Sequence, residues 1–366
     1  MKRNMKRIIS VVLAVMVIFS LTACGGNAET EKNAQSQTKE TVKEESTGEK
    51  LKIGVSLPSP ANQFVGAIVE NVQTEAAIDS DKYDVTVVVS DDPNAQVSAI
   101  EDLMLEELDV LLVLPLDSAP VTPICEKAYD EGIKVVILDR GIESDKYTTF
   151  IEGDNYGIGV SAANYIGEKL NGVGKVVEII GVPCEIVTRR SKGFYDTIKE
   201  NYPNIEVVAT GQGDFAREPA MVAMEDILQA QDHIDAIYSH DDEQSIGIDT
   251  AVKNAGREKE MFCTGCGGNK SVFEGMINDD TIVTATFLYS PTMGATALRV
   301  AKAIAANETL EKASGNDEWL KQTLISEYGD DFLTKLDGTI PKKITLTAAT
   351  VTKENVDSYY NADSNY

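Results

Sequence analysis

The chain has 366 residues, and its 33 Lys and Arg against 59 Asp and Glu give a net charge of −26 at pH 7. A field of that sign repels nucleic acid and anionic lipid headgroups, which excludes polyanion binding on electrostatic grounds. Two histidines and five cysteines are too few for a disulfide scaffold, and the lone Cys263-Thr-Gly-Cys266 spacing has no second pair or nearby histidine to complete a metal site.

Lys2, Arg3, Lys6 and Arg7 precede an apolar run from Ile8 to Leu21, which is shorter than the roughly 20 residues that a membrane-spanning helix needs. Residues 1–23 therefore read as an export signal. Leu21-Thr22-Ala23-Cys24 resembles the bacterial lipobox, which implies cleavage before Cys24 and a lipid on its sulfur. Residues 24–50 carry almost no apolar side chain and read as a disordered tether between lipid and domain. Removing four basic and no acidic residues takes the mature balance to 29 basic against 59 acidic, a net charge of −30.

From Leu51 the pattern alternates short apolar strands with amphipathic helices, the signature of a parallel sheet covered on both faces. Strands are predicted at 51–57, 83–89, 110–114 and 135–138, with helices near 65–76, 95–108 and 121–131 between them. A strand at 147–151 ends at Gly153-Asp154-Asn155, where the rhythm restarts. Helices at 156–170, 188–201, 218–230 and 245–254 then alternate with strands at 175–180, 205–210, 236–239, 261–265 and 282–287. A helix at 291–306, a polar segment at 307–336 and one strand at 343–352 complete the chain. The expected fold is α/β: two Rossmann-like lobes, each a parallel sheet with helices on both faces, joined by a three-segment hinge. The expected boundaries are 51–153 with 290–341 for the first lobe and 154–289 with 342–366 for the second.

In open α/β sheets the loops at strand carboxyl ends surround the ligand crevice. Asn62, Gln63 and Phe64 follow the first strand, Asp139-Arg140 ends the fourth, and Asn155 stands at the crossing. Arg190 opens a helix, Phe215 and Arg217 follow the strand at 205–210, Asp241 follows Ser239, and Tyr289 ends the last strand of the second series. Asp accepts from a hydroxyl and Arg donates to one, and such charge-assisted bonds are roughly twice as strong as neutral ones. An apolar ring beside them covers C–H faces, so the set suits a polyhydroxylated ligand.

The motifs Val136-Ile-Leu-Asp139-Arg140, Arg190-Ser-Lys-Gly-Phe194, Gly213-Asp-Phe215-Ala-Arg217 and Ser239-His-Asp241-Asp242 occur in an order that resembles the ribose/galactose type of periplasmic sugar-binding protein. The tail Gly338-Thr-Ile-Pro-Lys-Lys-Ile-Thr-Leu-Thr347 looks closest to its galactofuranose-binding branch. The resemblance implies sugar contacts from Phe64, Asp139, Arg140, Arg190 and Asp241, with Phe215 as a stacking wall. It also implies an ABC importer whose permease subunits receive the ligand, a lipid-anchored monomer facing outside the cell, and no cofactor, metal or catalysis. Gly265-Cys266-Gly267-Gly268 departs from the family's Gly-Phe-Asp-Gly, and Tyr289 stands where Gln or Glu is common. Other ligands for the same fold are a nucleoside, a furanosyl signalling compound or a polyol, and another role is a ligand sensor. A transcription regulator of this fold needs an N-terminal DNA-binding unit, and the chain carries the export signal there.

Overall fold

The computed structural model describes residues 49–60 and 62–362. The expected export signal, Cys24 and the expected tether up to residue 48 lie outside the described residues.

Six strands form the first sheet: β1 (Leu51–Pro58), β2 (Tyr83–Ser90), β3 (Val110–Val113), β4 (Lys134–Leu138), β5 (Thr149–Gly153) and β11 (Lys343–Leu346), in spatial order β11-β5-β4-β3-β1-β2 and all parallel. The apolar run of β4 shows why this sheet is buried twice over. Val136 and Leu138 point into one core and Val135 and Ile137 into another, as the two-residue period of a strand requires. The helices α1 (Gln63–Ala76) and α9 (Met293–Ala305) cover the first face, while α2 (Pro93–Met104) and α3 (Ser118–Asp130) cover the second.

The second sheet contains β6 (Val173–Ile180), β7 (Asn204–Gln212), β8 (Ala236–Ser239), β9 (Phe262–Gly267), β10 (Val283–Leu288) and β12 (Thr350–Thr352), in order β12-β10-β9-β8-β6-β7. Only its edge strand β12 is antiparallel. Helices α4 (Asn155–Lys169) and α5 (Glu185–Asn201) pack together on one face. On the other lie α6 (Arg217–Ala230), α7 (Asp242–Asn254) and α8 (Lys270–Asn278), around a core that includes Val177, Ile237, Met224 and Ile248.

The chain passes between the sheets three times, at 153–155, at 288–293 and at 346–350. The third crossing differs from the expectation. The single strand predicted at 343–352 is two strands, one in each sheet, so Lys343–Leu346 belongs with the first lobe and the crossing lies near Thr347 rather than at 341–343. Extended residues on both sides of a short link share one local pattern, and only the choice of neighbour separates them. Helix α8 was not anticipated, and the polar stretch 307–336 forms three short helices, α10 (Leu310–Gly315), α11 (Glu318–Tyr328) and α12 (Phe332–Lys335). Leu310, Leu320, Leu324 and Phe332 anchor these helices in the core despite their charged surroundings.

Candidate functional site

The carboxyl ends of both sheets face one cleft. Leu138 ends β4, and the next residue, Asp139, has φ of +61° while Arg140 N–H donates back to the Leu138 carbonyl at 2.7 Å. An i to i+2 turn at positive φ is rare and strained, and strained non-glycine residues cluster at functional sites. The turn leaves the Asp139 side chain buried against the cleft. Phe215 is held in the same way. Asp214 and Phe215 both have φ of +55°, and Ala216 N–H closes the turn on the Gly213 carbonyl at 2.9 Å. That conformation suits Asn, Asp or Gly and is an outlier for a bulky aromatic.

These residues line a partly open cavity of about 60 Å³ with Asn62, Phe64, Arg140, Arg190, Asp241 and Tyr289. Val65, Ile68, Leu114, Ile186, Cys266 and Gly267 complete its wall. A larger recess of about 390 Å³ lies between α1 and Tyr359–Asn361 and contains none of Asp139, Arg140, Arg190 or Asp241.

Each polar group is held by its own scaffold. Arg190 is buried, its Nε donates to Asn155 Oδ1 at 2.9 Å and its Nη1 to the His240 carbonyl. Behind it the His240 ring meets Glu178 at 3.0 Å, and Glu178 also accepts from Ser191 and Tyr195 at 2.7 and 3.0 Å. Burial holds His240 below its ordinary pKa, against the pull of Glu178. Arg140 Nη1 donates to the Leu116 carbonyl at 2.9 Å. Asn62 caps α1, its Oδ1 accepting from Val65 N–H at 2.9 Å, and Asp241 caps α7, accepting from Glu243 N–H at 2.7 Å. Burial and the neighbouring Asp242 push Asp241 up to about 8. Burial also raises Asp242, to about 6, although Asn269 N–H, Thr286 Oγ1 and Gly268 N–H all bond to it.

Tyr289 joins the lobes. Its hydroxyl donates to Asp139 Oδ1, its ring lies 5.5 Å from that of Phe64, and the Arg190 guanidinium sits 5.0 Å from the ring centre. Burial and then Asp139 raise its pKa well above the usual phenol value. Gly153 is required beneath it, because a Cβ there would lie 1.9 Å from Tyr289 Cε2. Gly181 likewise makes room for Phe215, whose ring would stand 2.0 Å from an added Cβ.

Not every expected residue reaches the cavity. Asn155 is spent on Arg190 and the Gly153 carbonyl, and lines only an adjoining cavity with Glu152 and Arg189. Gln63 lies outside the lining and accepts from Asn269 Nδ2 of the second lobe at 3.1 Å. Arg217 is also outside, held by Glu243 through bonds of 2.5 and 3.0 Å. Its turn aims Phe215 inward, which sends the helix start and Arg217 outward.

Two features go beyond the residues expected at the site. Cys263 and Cys266 are both free thiols rather than a disulfide, and Cys266 stands in the cavity wall. Its place at a strand carboxyl end was the available signal. Glu152, on β5, is buried and receives two bonds from Arg189 Nη1 on α5, of 2.6 and 2.7 Å, directly across the cleft.

Residues 53–309 match the periplasmic binding protein domain model. The chain is 31% identical over 293 residues to the ribose import binding protein of Bacillus subtilis strain 168, covering 78% of this chain and 89% of that protein. It is 27% identical to the galactofuranose-binding protein of Escherichia coli strain K12, over 75% of this chain and 80% of that one. Among solved structures, the fructose-binding periplasmic domain of a hybrid two-component system superposes with a TM-score of 0.69 at 29% identity, covering 84% of this chain and 93% of that domain. The extent of these matches and the two-sheet cleft agree: the chain belongs to the periplasmic binding protein domain family.

Proposed function

We propose that this chain is the extracytoplasmic substrate-binding lipoprotein of an ABC importer, capturing a monosaccharide between its two lobes and passing it to permease subunits. It is a binding protein rather than an enzyme. The reading rests on one observation: Asp139 and Arg140 from the first lobe and Arg190 and Asp241 from the second converge on one cavity beside Phe64 and Phe215. Each lobe supplies one Asp acceptor and one Arg donor, so hydroxyls on both sides of a sugar are paired only when the two lobes meet around it. The relatives that bind ribose and galactofuranose support the sugar class. Ligand contacts to both lobes favour the closed form, since a ligand shifts such an equilibrium only by its difference in affinity for the two states. Closure then rotates the lobes about the three crossings.

Native mass spectrometry of protein purified without refolding tests the ligand, because tight binders retain it. The expected mass increment is one pentose or hexose, and titration calorimetry with that sugar should show a single site. An increment matching a nucleoside or polyol would replace the sugar. The anchor is tested separately: Cys24→Ser should move the protein out of the membrane fraction, and unchanged fractionation with residues 1–23 retained would refute the lipid anchor.

A further inference from the structure

Glu178 is a carboxylate set into a core strand. Val177 and Ile179 point into the core beneath α6 and α7, so the two-residue period of β6 sends Glu178 to the opposite face, toward α5, where it is buried. Tyr238 on β8 stands opposite it in the sheet, and the His240 ring reaches it from just past the end of that strand. A buried charge is costly unless it is paired and hydrogen-bonded. Glu178 accepts from His240 Nε2 at 3.0 Å, from Ser191 Oγ at 2.7 Å and from the Tyr195 hydroxyl at 3.0 Å. Burial pushes its carboxyl up, and these three partners outweigh burial and hold it below the usual carboxylate range. An ionised carboxylate only accepts, so Nε2 is the nitrogen of His240 that carries hydrogen toward it.

His240 is fixed at its peptide as well as at its ring. Its N–H donates to the Ile179 carbonyl at 3.0 Å, and its carbonyl accepts from Arg190 Nη1. Ser191 and Tyr195 lie on α5 with Arg190, so Glu178 ties the helix that carries the guanidinium to the loop that holds its far end. The acceptors that Arg190 meets directly are both neutral, the Asn155 amide oxygen and the His240 carbonyl. A carboxylate in their place would hold the guanidinium more strongly and would also take up its charge. Neutral acceptors leave that charge for the oxygens of a ligand, and the charge-assisted bond that fixes the acceptor is made one step away, at the His240 ring. Resting on the reading of this cavity as a sugar site, we propose that Glu178 and His240 are positioning residues for binding: Glu178 locks the His240 ring, and the His240 carbonyl then aims Arg190 into the cavity.

The test is a double-mutant cycle on the full chain, read by titration calorimetry with D-ribose, L-arabinose, D-galactose and D-fructose as probes. His240→Leu removes the bond to Glu178 with little change of volume, and should weaken each sugar that wild type binds by about tenfold or more. His240→Gln returns an amide N–H to Glu178 and should stay within about threefold of wild type. Added to Arg190→Ala, His240→Leu should cost no more than about threefold, because the two residues act as one unit. Equal losses with and without Arg190, or wild-type affinity in a folded His240→Leu, would overturn the proposal and leave the pair a purely structural part of the lobe. Solvent exchange of the Arg190 Nε–H, followed by NMR and assigned by its loss in Arg190→Ala, reads the same claim without a sugar. It should speed by about tenfold in His240→Leu and stay slow in His240→Gln, and equal rates in both would also overturn the proposal. If His240→Leu does not fold, Glu178→Gln replaces it: the bond to the ring becomes a neutral one of about half the strength, so affinity should fall about threefold or more, and no change would count against the proposal in the same way. Failure of all four probes to bind wild type would overturn the sugar reading for these pentoses and hexoses, while the Nε–H exchange still decides the positioning of Arg190.

Discussion

Glu152 at the end of β5 and Arg189 on α5 are joined by bonds of 2.6 and 2.7 Å that span the cleft, and Lys343 Nζ on β11 adds a third contact to Glu152 at 2.9 Å. None of these residues lines the main cavity, so the pair favours closure whatever the ligand. Glu152→Gln removes the charge with little change of shape. The ligand-free radius of gyration from small-angle scattering should rise, and affinity for the retained sugar should fall about tenfold, because closure loses part of its driving force. Scattering and affinity both equal to wild type would mean that the lobes close without help from this pair.

Asp139 and Arg190 line the cavity from opposite lobes. Asp139→Ala and Arg190→Ala should each weaken binding by about tenfold to a few hundredfold, the range expected when a charged partner of a buried hydrogen bond is removed. Calorimetry with the retained ligand is the check, and wild-type affinity in both variants would mean that the ligand sits elsewhere. Arg217→Ala is the internal comparison. Its guanidinium is engaged by Glu243 outside the cavity, so its affinity should stay within about threefold of wild type.

Asp241 ties stability to pH. Its carboxyl, raised from 3.8 to about 8 by burial and by Asp242, holds its proton in the folded state over a range in which the unfolded chain has released it. The folded state therefore binds more protons, and this contribution falls as pH rises from about 4 to about 8. Asp241→Asn keeps the helix-capping oxygen without the charge. Its melting temperature should exceed that of wild type by about 3 °C or more at pH 8, and the gap should close toward pH 4. A gap that widens on acidification would reverse the assignment.

Gly153 and Tyr289 couple the first two crossings. Gly153→Ala forces a methyl into the phenol ring, at 1.9 Å from Cε2, so Tyr289 must move and its bond to Asp139 must break. Binding should fall by about tenfold or more, with stability lowered by about 1–3 kcal/mol from overpacking. Chemical denaturation and calorimetry read the two effects separately. A crystal structure of the variant with Tyr289 unmoved would contradict the coupling.

The third crossing is braced by α11. Trp319 Nε1 donates to the Thr347 carbonyl at 2.8 Å, and Thr347 N–H donates to Thr323 Oγ1 at 3.2 Å. Thr323→Val removes that acceptor, and hydrogen exchange at the Thr347 amide should speed by about tenfold, reporting easier local opening. The amides of β4, buried on both faces, should be unaffected.

The two-lobe architecture was legible in the chain because burial on both faces leaves a local mark. Short β-branched runs such as Val135–Leu138, bounded by turn residues, read as interior strands, and amphipathic helices between them impose parallel order and bring the strand ends together. Asp139, Arg140, Arg190, Phe215 and Asp241 follow from that placement. Tertiary structure decided what local pattern does not encode. It separated Lys343–Leu346 from Thr350–Thr352 by giving each a different sheet, a choice of neighbour rather than of conformation. It turned Arg217 out to Glu243 and Asn155 back to Arg190, because side-chain direction depends on which distant partner lies within reach. It also put Cys266 in the cavity wall and Glu152 opposite Arg189, since contacts between lobes exist only once both sheets have formed and met.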